Sequence, residues 1–177
     1  MRTRSQAIAV ALSLMAIQTL VRAQDPPNAP YRKLDDIRIS LQRTACFGEC
    51  PIYSVTIEGN GSVVYTGVDF VASTGVRETT IGDDDLVKLV NEFLRVHFFD
   101  ANEEYRERSA ISIRPGRTYL AMSENVSDNP STLLSLKLGD RTKTVTLYYN
   151  YPAELSALAD LIDEVSGAKR WSTTAVP

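Results

Sequence analysis

Ten residues, Thr44-Ala45-Cys46-Phe47-Gly48-Glu49-Cys50-Pro51-Ile52-Tyr53, constrain this chain more than any other stretch. They hold both of its cysteines and lie between two segments of alternating character. Before them, Ile37-Arg38-Ile39-Ser40-Leu41-Gln42-Arg43 alternates apolar and polar residues. After them, Tyr53, Val55 and Ile57 alternate with Ser54, Thr56 and Glu58. A period of two is the signature of half-buried β-strands. Four steps of extended chain hold Cα atoms about 13 Å apart, whereas a disulfide needs them within about 7 Å. A Cys46–Cys50 bridge therefore requires the chain to reverse between the cysteines. Gly48 permits the backbone angles of a reversal, and Pro51 limits its continuation. The expectation is strand, disulfide-closed turn, strand. Phe47, Gly48 and Glu49 stand at the crest and form, with Tyr53, the candidate contact surface.

The pairing of the cysteines also depends on the compartment. Residues 1–23 read as a secretory signal peptide. Arg2 and Arg4 supply a basic start, Ala7 to Val21 is mostly apolar, and Val21-Arg22-Ala23 offers a cleavage site before Gln24. The apolar run is shorter than the ~20 residues of a spanning helix, and no other run is long enough to cross a membrane. Three of the 19 basic residues (Arg2, Arg4, Arg22) leave with this segment. That sets 16 against 22 acidic residues and gives the expected mature chain a net charge of −6. An acidic balance argues against a nucleic-acid partner, whose usual footprint is a basic face. Export to an oxidising periplasm or exterior favours a structural disulfide over free thiols. Residues 24–36, polar and with three prolines, read as a disordered leader, and 172–177 as a frayed tail.

The remainder, 37–171, reads as a single domain. Gly59-Asn60-Gly61 is a tight-turn signal, and Val63 and Tyr65 continue the alternation on a return strand. A weaker strand is expected near 76–81. Asp83-Asp84-Asp85 opens a helix over about 83–97, with Leu86, Leu89, Val90, Phe93, Leu94 and His97 as its apolar stripe. Residues 100–130 are the least readable. Ala110–Ile113 suggests a short strand and Pro115-Gly116 a turn. Alternation returns at Leu134, Leu136 and Leu138, turns at Gly139-Asp140, and runs back through Val145, Leu147 and Tyr149. Pro152 leads a second helix with Leu155, Leu158, Ile162 and Val165 inside and Asp160 and Asp163 mostly outside, ending near Gly167. Hairpin strands with two amphipathic helices predict an α+β fold. The expected architecture is a single antiparallel sheet with both helices packed on one face. Ser40, Gln42, Thr56, Thr144 and Thr146 suit a solvated opposite face.

Several chemistries can be weighed against this skeleton. Cys46-Phe47-Gly48-Glu49-Cys50-Pro51 resembles the Cys-x-x-x-Cys-Pro motif of the Sco-type copper chaperones, which use two thiolates and a distant histidine. The alternative copper site is therefore Cys46, Cys50 and His97, the only histidine. The context differs, because those proteins place the cysteines at a helix N-terminus, where thiol pKa falls, and here a strand follows. Two cysteines and one histidine leave a zinc site a ligand short. A hydrolase would need His97 beside carboxylates in a concave pocket, and the expectation for His97 is instead a packed core histidine. Asp83–Asp85 lacks the spacing of a calcium loop and suits helix capping. The arginines of 106–117 read as a solvated loop, and Tyr148, Tyr149 and Tyr151 as packing residues.

The stretch from Arg43 to Tyr53 also resembles a bacterial family, domain of unknown function 6438. The resemblance continues through Gly61, Tyr65, Gly67, Gly75 and the helix ending in Phe98-Phe99, then through Asp128-Asn129-Pro130-Ser131, the Tyr151-Pro152-led helix and Trp171. Arg106 to Val126 looks longer than the family pattern. The resemblance implies an exported bacterial domain and brings no activity, cofactor or catalytic residue.

These readings converge on an exported, non-enzymatic binding module without a cofactor. Its partner would be a protein or cell-envelope component, and Cys46–Cys50 would be its structural disulfide. A thiol redox or copper-handling protein is the alternative.

Overall fold

The computed structural model describes residues 36–125 and 129–173. The expected signal peptide, nearly all of the expected leader and the last four residues lie outside this range. The element order is β1 (Ile37–Arg43), β2 (Ile52–Glu58), β3 (Ser62–Asp69), β4 (Gly75–Thr80), α1 (Asp83–Arg95), a 3₁₀ turn (Phe98–Asp100), β5 (Glu104–Tyr105), β6 (Glu107–Arg114), β7 (Arg117–Asn125), β8 (Thr132–Leu138), β9 (Arg141–Leu147), α2 (Ala153–Val165) and α3 (Lys169–Ser172).

Seven strands form one sheet in the order β4-β3-β2-β1-β8-β9-β5. Its pairs are antiparallel except β5–β9, which is parallel. The fold is α+β. The single-sheet expectation needs one correction, since β6 and β7 form a separate two-stranded hairpin across Pro115-Gly116. The expected short strand at Ala110–Ile113 is the middle of β6.

Register explains why one sheet face is apolar. Ile39 sits opposite both Ile57 and Leu136, Leu41 opposite Val55 and Leu134, Val55 opposite Tyr65, and Leu134 opposite Val145. All of these are buried, and a period of two puts them on one face. Leu86, Leu89 and Phe93 of α1 and Leu155, Leu158, Ala159 and Ile162 of α2 belong to the same buried cluster. The other face carries Ser40, Gln42, Ser54, Thr56, Ser135 and Thr144 in matching rows.

Two boundaries differ from the expectation. Helix α1 stops at Arg95, and His97 follows in the left-handed region (φ 51°). That reversal lets Phe98 drop into the core, edge-on to Phe93 with ring centroids 4.7 Å apart. The stripe is therefore completed by Phe98, and His97 is exposed. At the other end, Trp171 in α3 stacks at 5.2 Å on Tyr65, and its carbonyl accepts from the Ser73 amide and the Tyr65 hydroxyl. Ser172, expected in the tail, is buried.

Two glycines are needed where they stand. Gly61 adopts φ 80° after a turn in which its own amide donates to the Glu58 carbonyl, so the β2–β3 hairpin is a turn followed by a left-handed residue. A Cβ at Gly67 would come within 2.1 Å of the Ser73 carbonyl oxygen, which is backbone and cannot move aside cheaply. We expect Gly67→Ala to lower stability by about 1–3 kcal/mol, the usual cost of overpacking. Chemical denaturation checks this, and an unchanged midpoint would contradict the close approach.

Candidate functional site

The cysteine stretch leaves the sheet from its central strand. Thr44 is fastened first: its amide and hydroxyl donate to the Ser131 carbonyl (3.0 and 3.2 Å), and its hydroxyl accepts from the Ser131 amide (2.8 Å). The chain then reverses. Cys46 and Cys50 are disulfide-bonded, with Cα atoms 5.7 Å apart. Phe47 is 93% exposed at the crest, with Gly48 and Glu49 exposed beside it. The register shifts between Ile52 and Tyr53, so β2 enters the sheet through an irregularity.

The base of this loop is held by a polar network inside the core face. Arg43 lies directly opposite Tyr53 on one side and Thr132 on the other. Helix α2 places Asp163 over them. The Arg43 guanidinium donates to Asp163 Oδ2 from Nη2 (2.7 Å) and Nε (3.2 Å), and from Nη2 to Asp160 (3.2 Å). The Tyr53 hydroxyl accepts from Arg43 Nε (2.9 Å) and donates to Asp163 Oδ1 (2.8 Å). Asp163 is 3% exposed and Tyr53 4%. Tyr53 thus leaves the expected contact surface, because burial and both bonds of its hydroxyl commit it to the interior. No buried side-chain polar atom among the described residues lacks a partner.

Burial shapes the electrostatics of this cluster. It pushes the Tyr53 phenol well above its ordinary value, and the Asp163 charge adds to the effect. Tyr53 therefore stays protonated and able to donate. Burial also pushes the Asp163 carboxyl upward, while the guanidinium and phenol bonds pull it back in part. It works against the Arg43 charge too, but Asp163 and Tyr53 together more than offset it, and the guanidinium is held above its ordinary value. A cluster bonded in this way fixes geometry, and none of its buried side-chain polar atoms lacks a partner.

The remaining candidates are scattered. His97 is not a core residue, because the helix ends before it. It lines a cleft of about 360 Å³ with Arg95, Asp100, Tyr105 and Glu154. A pocket with His97 beside carboxylates is what a hydrolase requires. Among the described residues no Ser, Thr or Cys lines this cleft, so no nucleophile of those types stands beside the imidazole. The proposed trio of Cys46, Cys50 and His97 is not brought together. The cleft abuts Glu154 at the start of α2, and Arg43 is bonded to Asp163, nine residues or roughly 14 Å further along that helix. Among the described residues no group of three or more His, Cys, Asp or Glu could hold a metal ion. Asp83–Asp85 occupy the first turn of α1, where the helix dipole favours them. Tyr148 is buried, accepts from the Asn129 amide (3.1 Å) and lies under the Arg106 guanidinium. Tyr151 is exposed.

Asp163 is the residue the sequence reading missed. The signal was its position, four residues after Ala159 and eight after Leu155, on the rim of the apolar stripe. We expect Tyr53→Phe to cost about 1.5–3 kcal/mol, the range for hydrogen bonds to charged groups, with the fold retained. In an alkaline absorbance titration the variant should lose one of the late-ionising tyrosines. Loss of only an early-ionising tyrosine would contradict the network.

No curated protein matches the chain. A family model described as a domain of unknown function, DUF6438, matches residues 37–166, from the first residue of β1 to the end of α2. The span includes the disulfide loop and both halves of the Arg43–Asp163 pair, and the chain belongs to this family.

Proposed function

We propose that the protein is an exported, non-enzymatic binding module. In this reading the Cys46–Cys50 disulfide is a structural clamp, and Phe47, Gly48 and Glu49 are its contact surface. One observation carries the reading: a large aromatic side chain, Phe47, is 93% exposed on a covalently closed loop. Leaving such a side chain in water is costly for the free protein, and pre-ordering it lowers the entropy lost on binding. Aromatic anchors of this kind dominate the energetics of many interfaces. Export is supported by the basic and apolar start of the chain and by the disulfide itself. No helix among the described residues is long and apolar enough to cross a membrane.

Placing a photo-crosslinking residue at position 47, in the full chain in its host, should trap a discrete adduct. The same residue at Val87, exposed on α1, should not. The adduct should vanish in the Cys46→Ser/Cys50→Ser variant, which we expect to be less stable by about 2 kcal/mol on the loop-entropy model. No adduct at position 47, or equal adducts at both positions, would overturn the reading. Uptake of one Cu(I) by the reduced protein with high affinity would replace it with the copper-handling alternative.

A further inference from the structure

The disulfide loop adjoins one corner of the sheet, and that corner differs from the rest of its face. Ile52, directly after Pro51, pairs with Asp69 at the end of β3. On the side of the sheet away from the helices, Thr66 sits opposite Val76, and Val64 opposite Glu78. Val64 and Val68 flank Thr66 two residues to either side, so both are diagonal neighbours of Val76, within about 8 Å. Their exposures are 36% for Val64, 60% for Val68 and 56% for Val76. Elsewhere that face carries Ser40, Gln42, Ser54, Thr56, Ser135 and Thr144, with the half-buried Leu133 among them. The three valines are thus an apolar island on a hydroxyl-rich surface. Phe70, 40% exposed, stands beside it with φ at 51°. Bulky residues seldom adopt that conformation, and such strain clusters at binding sites.

The charges around the island are predominantly acidic. Glu49 and Glu78 are exposed and have no ion-pair partner among the described residues. Asp69 accepts the Phe70 amide. The single basic residue of β3, β4 and the disulfide loop is Arg77, and its guanidinium is occupied by the Val76 carbonyl (2.8 Å) and the Ser73 hydroxyl (3.1 Å). These three segments therefore carry three exposed carboxylates against one guanidinium, which its neutral acceptors leave charged. An anionic membrane or a nucleic acid is repelled by such a balance. A second copy of this acidic chain is disfavoured as well. In antiparallel pairing of β4 with itself, the pleat allows only registers that keep faces matched. The two most central of these set Arg77 opposite Arg77 or Glu78 opposite Glu78, and like charges directly opposite are destabilising.

We propose that this corner extends the contact surface of the disulfide loop and that its occupant is a cationic protein segment carrying apolar side chains. The apolar groups cover Val64, Val68 and Val76, the Lys or Arg groups meet Glu49, Asp69 and Glu78, and Phe47 reaches the partner from the end of the sheet. The proposal rests on the binding-module reading above and assigns that module a partner chemistry.

The test is amide chemical-shift mapping on the 15N-labelled full chain with three eight-residue peptides: alternating lysine and valine, alternating glutamate and valine, and alternating lysine and serine. Only the lysine–valine peptide should bind, with shifts at residues 47–50, 52, 64–70 and 75–78. Val68→Ser with Val76→Ser should weaken it about tenfold or more, a difference of about 1.4 kcal/mol, and Glu49→Gln with Glu78→Gln should do the same. Both pairs are exposed, so the fold survives them. Binding of the glutamate–valine peptide, shifts confined to the cleft beside His97, or indifference to the valine pair would each overturn the proposal. The two readings fail differently. If Phe47→Ala abolishes binding and the valine pair changes nothing, the loop stands and the corner falls. If the valine pair abolishes binding and Phe47→Ala changes nothing, the corner stands and the loop falls.

Discussion

The interaction on which this structure depends is the part-buried contact of Arg43 with Asp163, completed by the buried Tyr53 hydroxyl. It joins residues 120 positions apart and pins the C-terminal half of α2 to the end of the central strands. Desolvating a guanidinium and a carboxylate is costly, and a buried ion pair is weak evidence for net stability by itself. What it supplies is position. The Arg43 donors and the Tyr53 hydroxyl converge on Asp163, so α2 cannot slide by a turn without stranding a charge. The disulfide loop begins one residue after Arg43 and returns two residues before Tyr53 with Pro51. The polar cluster therefore also holds the base from which Phe47 projects.

Two independent constraints meet at that loop. The bridge between Cys46 and Cys50 closes it covalently, and Thr44 ties its entry to Ser131 through three hydrogen bonds. The loop's exit is adjacent to β3, where Gly67 lets the Ser73 carbonyl approach and Trp171 packs on Tyr65. Motif residues that looked like separate features along the chain thus converge on one end of the sheet. The opposite edge needs less. There β5 is only two residues long, a length that gives a foreign strand little to pair with.

Much of this was legible in the sequence, because burial imposes periodicity. Ile37, Ile39 and Leu41, and Leu134 and Leu136, alternate since one face of their strands meets the core. The two helical stripes follow from the same cause. The misreadings have physical reasons as well. His97 continues the spacing of α1, but a left-handed residue there lets Phe98 fill the site instead. Asp163 looked like a solvent-facing charge because its compensating arginine lies 120 residues earlier, and only tertiary structure brings them together. The β6–β7 hairpin was hidden because its register shifts between Arg108 and Ala110, which breaks the alternation that would have announced it. Tyr53 was placed at the surface because it closes the cysteine stretch, although its alternation with Val55 and Ile57 already put it on the apolar face.

The central claim is that Arg43 and Asp163 act as one unit, and a double-mutant cycle with Arg43→Met and Asp163→Leu tests it most directly by chemical denaturation. Arg43→Met should lose about 3–5 kcal/mol, since it leaves the buried Asp163 charge without its partner, and Asp163→Leu should lose less, because Arg43 is part-exposed and keeps Asp160. The double variant should lose distinctly less than the sum, with a coupling of about 2 kcal/mol or more. Additive losses would contradict the account and reduce the contact to two independent packing positions.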